Sequence, residues 1–417
     1  MMSHFDAIAI LMTVTAGFAY VNHRWIRLPM SIGLMLMSFV ISLILLLMEK
    51  FGIPVSIQAD QMVTGIDFSK ILLEGMLGLL LFAGALHVNL DDLAEHKLEI
   101  SIFSTLGVLT STFLVGSAVY GLSSLMGWHL LPVHCFLFGA LISPTDPIAV
   151  LGIMKKAGAP KNLETKIAGE SLFNDGIGVV VFLILLKIAA GGEEVTLGSV
   201  TGLFLKEAVG GILFGLTTGY IAYRMLRSIN NYQVEIMITL ALVMGGYALG
   251  LASHISAPLA MVTAGIFIGN HGRRMAMSEI TRQHLDTFWE LVDEILNALL
   301  FVLIGLEVLV LTLRWDYLTA GLMAVPVALL ARFISIGLPV MILRRWRSYA
   351  PRTVSIMTWA GLRGGISVAM ALSLPAVCHR ELILTMTYVV VAFSVLVQGM
   401  TVQRMVQGKI PDCGQTD

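Results

Sequence analysis

The sequence predicts an all-α integral membrane protein with about 13 transmembrane helices, and three observations support this fold class. First, 57% of the 417 residues are hydrophobic and only 13% are charged, whereas soluble domains carry about 25% charged residues. Second, long apolar runs recur along the chain, as in Ile32–Met48, Leu72–His87 and Ala298–Thr312. Third, these runs are continuous, unlike the alternating strands of a membrane barrel. Each run therefore indicates a helix, which satisfies its own backbone hydrogen bonds.

The apolar windows give the approximate position of each helix, at about 20 residues per crossing. The predicted spans are residues 5–22, 28–48, 70–89, 98–124, 131–154, 163–188, 197–225, 233–252, 256–270, 285–312, 315–343, 353–376 and 381–405. Together they form one transmembrane domain that covers residues 1–417.

Lysine and arginine residues concentrate on one side of this topology, which the positive-inside rule identifies as cytoplasmic. The rich loops contain Arg24, Arg27, Lys97, Lys155, Lys156, Lys161, Lys166, Arg224, Arg227, Arg273, Arg274, Arg282, Arg344, Arg345, Arg347 and Arg352. We therefore expect a multi-pass protein of the cell membrane with its N-terminus outside and its C-terminus in the cytoplasm. The net charge of −1 gives no indication of a nucleic-acid partner.

The fifth predicted span is interrupted by Pro144 and Pro147. Each proline removes a backbone donor and disfavours helical geometry at the residue before it, which here is Ser143 or Asp146. A broken helix at membrane depth is tolerated only inside protein or beside a water-filled cavity. Because the ionisable Asp146 is costly at this depth, a functional break is favoured over a plain proline kink.

The twelfth predicted span has a similar interruption, where Gly361, Gly364 and Gly365 surround Arg363. The alternative is a small-residue packing face with a snorkelling arginine. The two breaks are seven spans apart, so their helices cross the membrane in opposite directions. Such paired interruptions are typical of inverted-repeat transporters.

The predicted repeats cover roughly residues 5–188 and 233–405, and the helix at 197–225 links them. Where two broken helices cross, the ends of their halves bring partial positive and negative charges together at mid-depth. We expect Asp146 to compensate the positive ends and Arg363 the negative ends.

The sixth predicted span contains a polar cluster that is expensive in lipid: Glu170, Ser171, Asn174 and Asp175. Residues four apart share a helix face, so Ser171 and Asp175 form one pair and Glu170 and Asn174 another. The first pair can present oxygen atoms to a ligand. The second can place Glu170 against a basic partner.

Two arginines are candidates for that partner, because an unpaired buried carboxylate or guanidinium is strongly destabilising. Arg332, in the eleventh predicted span, is favoured, and Arg363 is the alternative. Near the cytoplasmic start of the tenth span, Asp293 and Glu294 are either ordinary interfacial residues or the lining of an inner funnel that attracts cations.

The oxygen ligands of this cluster suit a hard monovalent cation such as Na⁺ or Li⁺. A buried carboxylate is costly until a proton or a cation neutralises it, so Asp175 is predicted to bind one or the other. Because the site holds either a proton or a cation, the protein is predicted to exchange one for the other. The alternatives are that the cluster is only structural, or that the protein is a cation channel. An intramembrane enzyme is not expected, since the sequence has no His-Glu-x-x-His run. No cofactor is predicted beside the transported ions.

Four runs together resemble the Na⁺/H⁺ exchanger branch of the monovalent cation:proton antiporters, of the prokaryotic NhaP type. They are Phe82-Ala83-Gly84, Ser143-Pro144-Thr145-Asp146-Pro147, Glu170-Ser171-Leu172-Phe173-Asn174-Asp175 and Gly361-Leu362-Arg363-Gly364-Gly365. The similarity extends over nearly the whole chain. It implies a thirteen-helix inverted-repeat antiporter fold with two broken crossing helices, a homodimer, and an elevator-like movement of a six-helix bundle.

The resemblance also implies roles for the site residues. Asp175 would carry the transported Na⁺ or H⁺, assisted by Asp146, Ser171 and a backbone ligand from Thr145. Glu170, Asn174 and an arginine would form a structural brace. Exchange would be electroneutral, because Asn174 stands where the electrogenic branch carries a second aspartate. Exchange of K⁺ for H⁺ is the alternative within this group of transporters.

Overall fold

The structure is a computed structural model, and it describes residues 4–51, 70–146, 150–152, 154, 158, 160–190, 197–309, 311, 314–347, 349–350 and 352–407. These residues are helical or irregular, and their one β-type contact is an isolated bridge between Asp146 and Leu362. The helices are α1 (His4–Val21), α2 (Met30–Lys50), α3 (Leu77–Leu86), α4 (Leu90–Glu95), α5 (Lys97–Met126), α6 (Pro132–Ile142), α7 (Lys161–Ala189), α8 (Leu197–Leu226), α9 (Tyr232–Ala252), α10 (Ala257–Phe267), α11 (Arg273–Met275), α12 (Glu279–Leu306), α13 (Trp315–Leu343), α14 (Thr353–Ala360), α15 (Gly365–Leu372), α16 (Arg380–Phe393) and α17 (Gly399–Gln407).

Four π-helical turns and two 3₁₀ turns join or extend these helices. The π-helices are Asn22–Ile26, Ile71–Met76, Ile268–Gly272 and Ser394–Gln398, and the 3₁₀ turns are Glu307–Leu309 and Ala376–Cys378. Among the described residues, seven helices are long and apolar enough to cross a bilayer: Met30–Met48, Lys97–Met126, Lys161–Ala189, Val200–Leu226, Tyr232–Ala252, Trp315–Leu343 and Arg380–Gln407. The all-helical fold class is thus confirmed, and the count of thirteen spans stays a prediction.

Helix α7 lies in the interior of the bundle, whereas α8 lies on its periphery. In the most apolar window of α7, 61% of the residues are buried, against 17% in α8. Gly178 allows α7 to approach the break after α6, since a Cβ atom there would lie 2.3 Å from Cγ of Pro144. The helix that carries the predicted polar cluster is therefore also well enclosed.

Helix α12 begins six residues before the predicted start at residue 285 and ends at Leu306. Its first turns are polar, so a hydropathy window does not detect them. The Ser278 side chain caps this end by accepting a hydrogen bond from the backbone N–H of Thr281 at 3.3 Å. Residues 310 and 312, which the prediction included, lie outside the described residues.

Both predicted interruptions are present in the fold. Helix α6 ends at Ile142, two residues before Pro144. Proline has no backbone N–H to donate, so it cannot extend the hydrogen bonding of the helix. Pro147, the second predicted breaker, lies outside the described residues. The other interruption separates α14 from α15 at residues 361–364. The breaks touch, because the backbone N–H of Asp146 donates to the carbonyl oxygen of Leu362 at 2.7 Å.

Candidate functional site

Asp175 lies in the middle of α7 with only 7% of its surface exposed. No described residue donates a hydrogen bond to its carboxylate. Two other acids repel it electrostatically, Asp146 at the break after α6 and Glu170 on the same helix. A buried carboxylate among like charges is unfavourable without a compensating cation or proton. Asp175 therefore needs a proton or a cation to neutralise it.

The break after α6 is fastened to α7 by Thr145. Its hydroxyl lies 3.1 Å from that of Ser171 and accepts a hydrogen bond from Asn174 Nδ2 at 2.8 Å. Its backbone N–H donates to Asn174 Oδ1 at 3.2 Å. Asn174 thus satisfies a backbone donor that the broken helix cannot satisfy itself. These contacts bring the hydroxyl oxygens of Thr145 and Ser171 to one point, next to Asp146 in the chain.

Glu170 is paired with Arg332, and not with Arg363. Two parallel hydrogen bonds of 2.7 Å join the Arg332 guanidinium on α13 to the two carboxylate oxygens of Glu170. Both side chains are at most 5% exposed. Asn174 Nδ2 donates a further bond of 2.7 Å to Glu170 Oε1. This bidentate geometry is the strongest that a charged pair offers, and it balances the Glu170 charge.

Arg363 compensates the carbonyl end of α6. Its Nη1 donates to the backbone oxygens of Ser143 at 2.5 Å and Pro144 at 3.1 Å. These oxygens lack intrahelical partners because the helix stops there, and they form the negative end of its dipole. The Arg363 backbone N–H in turn donates to the Ser394 hydroxyl at 2.9 Å.

Asp146 lies at the opposite kind of helix end. A Cβ atom built on Gly364 would be 2.6 Å from Asp146 Oδ2, so the carboxylate rests directly over the residue that precedes α15. The first backbone N–H groups of a helix form the positive end of its dipole. Asp146 and Arg363 therefore lie beside half-helix ends of opposite sign.

The structure brings all eight predicted residues into one connected region. It consists of Thr145, Asp146, Glu170, Ser171, Asn174, Asp175, Arg332 and Arg363. Oxygen atoms dominate the part around Asp175, which suits a hard monovalent cation. The two arginines are engaged elsewhere, by Glu170 and by backbone carbonyls, so neither one neutralises Asp175 directly.

Sequence reasoning missed two features near this region. Lys166 is counted among the loop cations, although the predicted span begins at residue 163. It is 5% exposed, and its Nζ lies 3.1 Å from Glu99 Oε1 between α7 and α5. Asp293 on α12 interacts electrostatically with Asp146, and its Oδ1 is buried without a hydrogen bond. The sequence singled out Asp293 only as an interfacial or funnel-lining residue, and no pattern links it to Asp146, because their electrostatic interaction depends on tertiary packing.

Comparison with known proteins supports the resemblance of the motifs. Residues 9–408 match the family model described as sodium/hydrogen exchanger, transmembrane. The chain is 50% identical to the Na(+)/H(+) antiporter NhaP of Pseudomonas aeruginosa, over 96% of each chain. It is 33% identical to the Na(+)/H(+) antiporter NhaH of Halobacillus dabanensis, over 97% of each.

A solved structure has the same fold. The sodium proton antiporter MjNhaP1 from Methanocaldococcus jannaschii matches with a TM-score of 0.76 at 18% identity, over 98% of this chain and 99% of that one. The broken, crossing helices predicted from Pro144 and from the glycines around Arg363 are thus part of a known architecture. The chain is a multi-pass membrane protein that belongs to the sodium/hydrogen exchanger family.

Proposed function

We propose that this protein exchanges Na⁺, or Li⁺, for H⁺ across the cell membrane as a secondary active antiporter. One observation carries the proposal: Asp175 is buried, is repelled electrostatically by two other carboxylates, and accepts no hydrogen bond from any described residue. Relatives that align with nearly the whole chain are Na(+)/H(+) antiporters by name. The transported ions are the reactants, and the mechanism requires neither a cofactor nor an enzymatic step.

The proposed ligands are the carboxylates of Asp175 and Asp146, the hydroxyl of Ser171 and the backbone of Thr145. Support comes from the contact between the Thr145 and Ser171 hydroxyls at 3.1 Å, on the side of α7 that carries Asp175. Glu170, Asn174 and Arg332 hold α7 against the break, while Arg363 holds the end of α6. Preorganised oxygen ligands of this kind replace the hydration shell of a small cation.

Exchange follows from competition for Asp175. A carboxylate that has bound a proton is neutral and no longer attracts Na⁺, and one that holds Na⁺ excludes the proton. An empty, charged site is costly to carry through the membrane, so only the loaded forms cross. Because Asn174 stands where the electrogenic branch of this family carries a second aspartate, we infer that one proton is exchanged for one Na⁺.

The orientation and assembly of the protein in the membrane are a separate inference. We infer that the N-terminus lies outside and the C-terminus in the cytoplasm, according to the distribution of lysine and arginine. The halves at 5–188 and 233–405 form inverted repeats around the crossing at Asp146 and Leu362. A homodimer, in which a bundle around α6 and α7 moves against the rest, is the assembly that the family resemblance implies.

Reconstituted vesicles test this function directly. The full chain is inserted into sealed vesicles with an acidic interior, and Na⁺ is added outside while the internal pH is followed. We expect Na⁺ and Li⁺ to dissipate the pH gradient and choline to leave it intact. Dissipation by K⁺ at the same concentrations would indicate K⁺/H⁺ exchange, and flux of Na⁺ without proton movement would indicate a channel.

The stoichiometry is tested by membrane potential. If one proton is exchanged for one Na⁺, no net charge crosses, so the initial rate should be the same at 0 mV and at a clamped potential of either sign. Moving one net charge would couple each cycle to the voltage by about 2.3 kcal/mol per 100 mV. A rate that changes steeply with voltage would contradict one-for-one exchange.

Replacement of Gly364 by alanine tests the position of Asp146. The added Cβ would lie 2.6 Å from Asp146 Oδ2, so the carboxylate must move away from the site. We expect the KM for Na⁺ to rise severalfold while the protein still folds. Gly245→Ala is the matched control, because a Cβ there meets no atom within 4 Å. An unchanged KM in Gly364→Ala would mean that Asp146 is not a Na⁺ ligand.

A further inference from the structure

The turn between α1 and α2 forms an open, cationic cavity on the surface of the protein. The cavity has a volume of about 510 Å³ and is lined by Asn22, His23, Arg24, Arg27, Leu28 and Met30. Cavities of about 300–1,000 Å³ are typical of small-molecule sites. Among the described residues, the lining contains two arginines and a histidine and no acidic residue, so it attracts an anion.

The turn is held in a fixed shape by Asn22, which is 2% exposed. Its side chain donates to the carbonyl oxygen of Leu28 at 3.0 Å and accepts from the backbone N–H of Leu28 at 3.3 Å. A Cβ atom on Gly33 would lie 2.3 Å from Asn22 Oδ1, so glycine is needed for this contact. Arg27 adopts a left-handed backbone conformation with φ of 59°. A prearranged cavity loses less entropy when a ligand binds.

The two arginines of this cavity are available to a ligand. Arg24 and Arg27 are exposed, and neither guanidinium has an ion pair or a hydrogen bond within the part of the chain that the structure describes. Arg273, by contrast, is paired with Asp286. Exposed cations that are not already neutralised keep their full attraction for phosphate groups.

The surroundings of the cavity fit the interface between lipid headgroups and acyl chains. Trp25 is 66% exposed, and its ring lies edge-on to the ring of Tyr20, with the ring centroids 5.9 Å apart. Exposed tryptophan and tyrosine mark the headgroup level of a membrane protein. Ile26 and Met30 beside them are 39% and 48% exposed, which gives acyl chains an apolar surface next to the charges.

We propose that this cavity binds the headgroup of an anionic glycerophospholipid. The guanidinium groups of Arg24 and Arg27 donate to its phosphate oxygens, and its acyl chains lie against the apolar surface of α1 and α2. Arginine suits this role, because its planar fork of donors matches phosphate geometry. The bound lipid ties the two helices together and stabilises the fold.

The unfolding temperature of the purified full chain tests the proposal. The protein is held in zwitterionic detergent and titrated with phosphatidylglycerol or, separately, with phosphatidylcholine. We expect phosphatidylglycerol to raise the unfolding temperature and phosphatidylcholine to have no such effect. At about 1 kcal/mol per arginine and 1.4 kcal/mol per tenfold, Arg24→Gln/Arg27→Gln should need about thirty-fold more phosphatidylglycerol for the same shift.

Arg224 and Arg227 supply the matched control, since they are also three residues apart and exposed. Arg224→Gln/Arg227→Gln should respond to phosphatidylglycerol like the wild type, and Arg24→Lys/Arg27→Lys should retain part of the response. Equal losses in the two glutamine variants would overturn the proposal, because they would reflect general surface charge. A wild-type shift produced by soluble glycerol phosphate would overturn it too, since that anion has no acyl chains. Should the first variant not fold, Arg24→Gln alone should need about fivefold more lipid.

Discussion

Asp175→Asn is expected to abolish Na⁺-driven proton movement in reconstituted vesicles, with the rate falling to that of protein-free vesicles. Asparagine has nearly the same shape as aspartate, but its amide does not bind a proton near neutral pH and carries no charge that attracts Na⁺. Both halves of the exchange cycle therefore fail together. The measurement is the initial rate of internal pH change after addition of Na⁺ outside.

Folding of this variant must be shown separately, and the structure indicates that it will fold. The substitution removes a buried charge that Asp146 and Glu170 repel, so thermal stability should be unchanged or higher. Asp316→Asn is the control with the same chemistry, since the Asp316 side chain is 69% exposed at the start of α13. It should exchange at the wild-type rate. Wild-type exchange by Asp175→Asn would refute the site.

Arg332→Ala is expected to destabilise the protein by about 3–5 kcal/mol, the cost of leaving a buried charge without its partner. Glu170 is 1% exposed, and two hydrogen bonds of 2.7 Å from Arg332 satisfy its carboxylate. Without them, the carboxylate retains only Asn174. A large drop in unfolding temperature, measured on the purified protein, should accompany loss of exchange.

A double variant separates the ion pair from the size of the side chain. Glu170→Gln/Arg332→Met removes both charges at once, so it should recover much of the stability lost in Arg332→Ala. Arg314→Ala is the matched control, because Arg314 forms its ion pair with Asp316 at the surface. Such exposed pairs contribute about 0–1 kcal/mol. Equal destabilisation by Arg332→Ala and Arg314→Ala would contradict a structural brace at Glu170.

Much of this fold could be predicted from the sequence because the bilayer imposes strict rules. The lengths of the apolar runs predicted both ends of α13, at residues 315 and 343, and the ends of α5 and α9 to within two residues. Pro144 and the glycines around Arg363 indicated the breaks, since a proline or a glycine cluster within a span disfavours a continuous helix. The four-residue spacing of Glu170 and Asn174 correctly placed them in contact.

Other parts depend on tertiary packing that no local pattern encodes. Whether Arg332 or Arg363 pairs with Glu170 depends on how α7, α13 and the break before α15 are placed relative to one another, which the sequence does not give. Lys166 resembles a loop cation in the sequence, yet α7 begins at Lys161 and buries it against Glu99. The first turns of α12 were not predicted for a different reason. They begin with a capping serine and have one polar face, so they form no continuous apolar run.

The competition of Na⁺ and H⁺ for Asp175 is the central claim, and proton release on Na⁺ binding tests it most directly. Purified protein in weakly buffered solution is titrated with Na⁺ while pH is recorded and bound Na⁺ is measured. At acidic pH we predict one proton released for each Na⁺ bound, and a half-saturating Na⁺ concentration that rises about tenfold per unit of falling pH. Asp175→Asn should release none. Na⁺ binding at acidic pH without proton release, or with equal release from Asp175→Asn, would contradict the account.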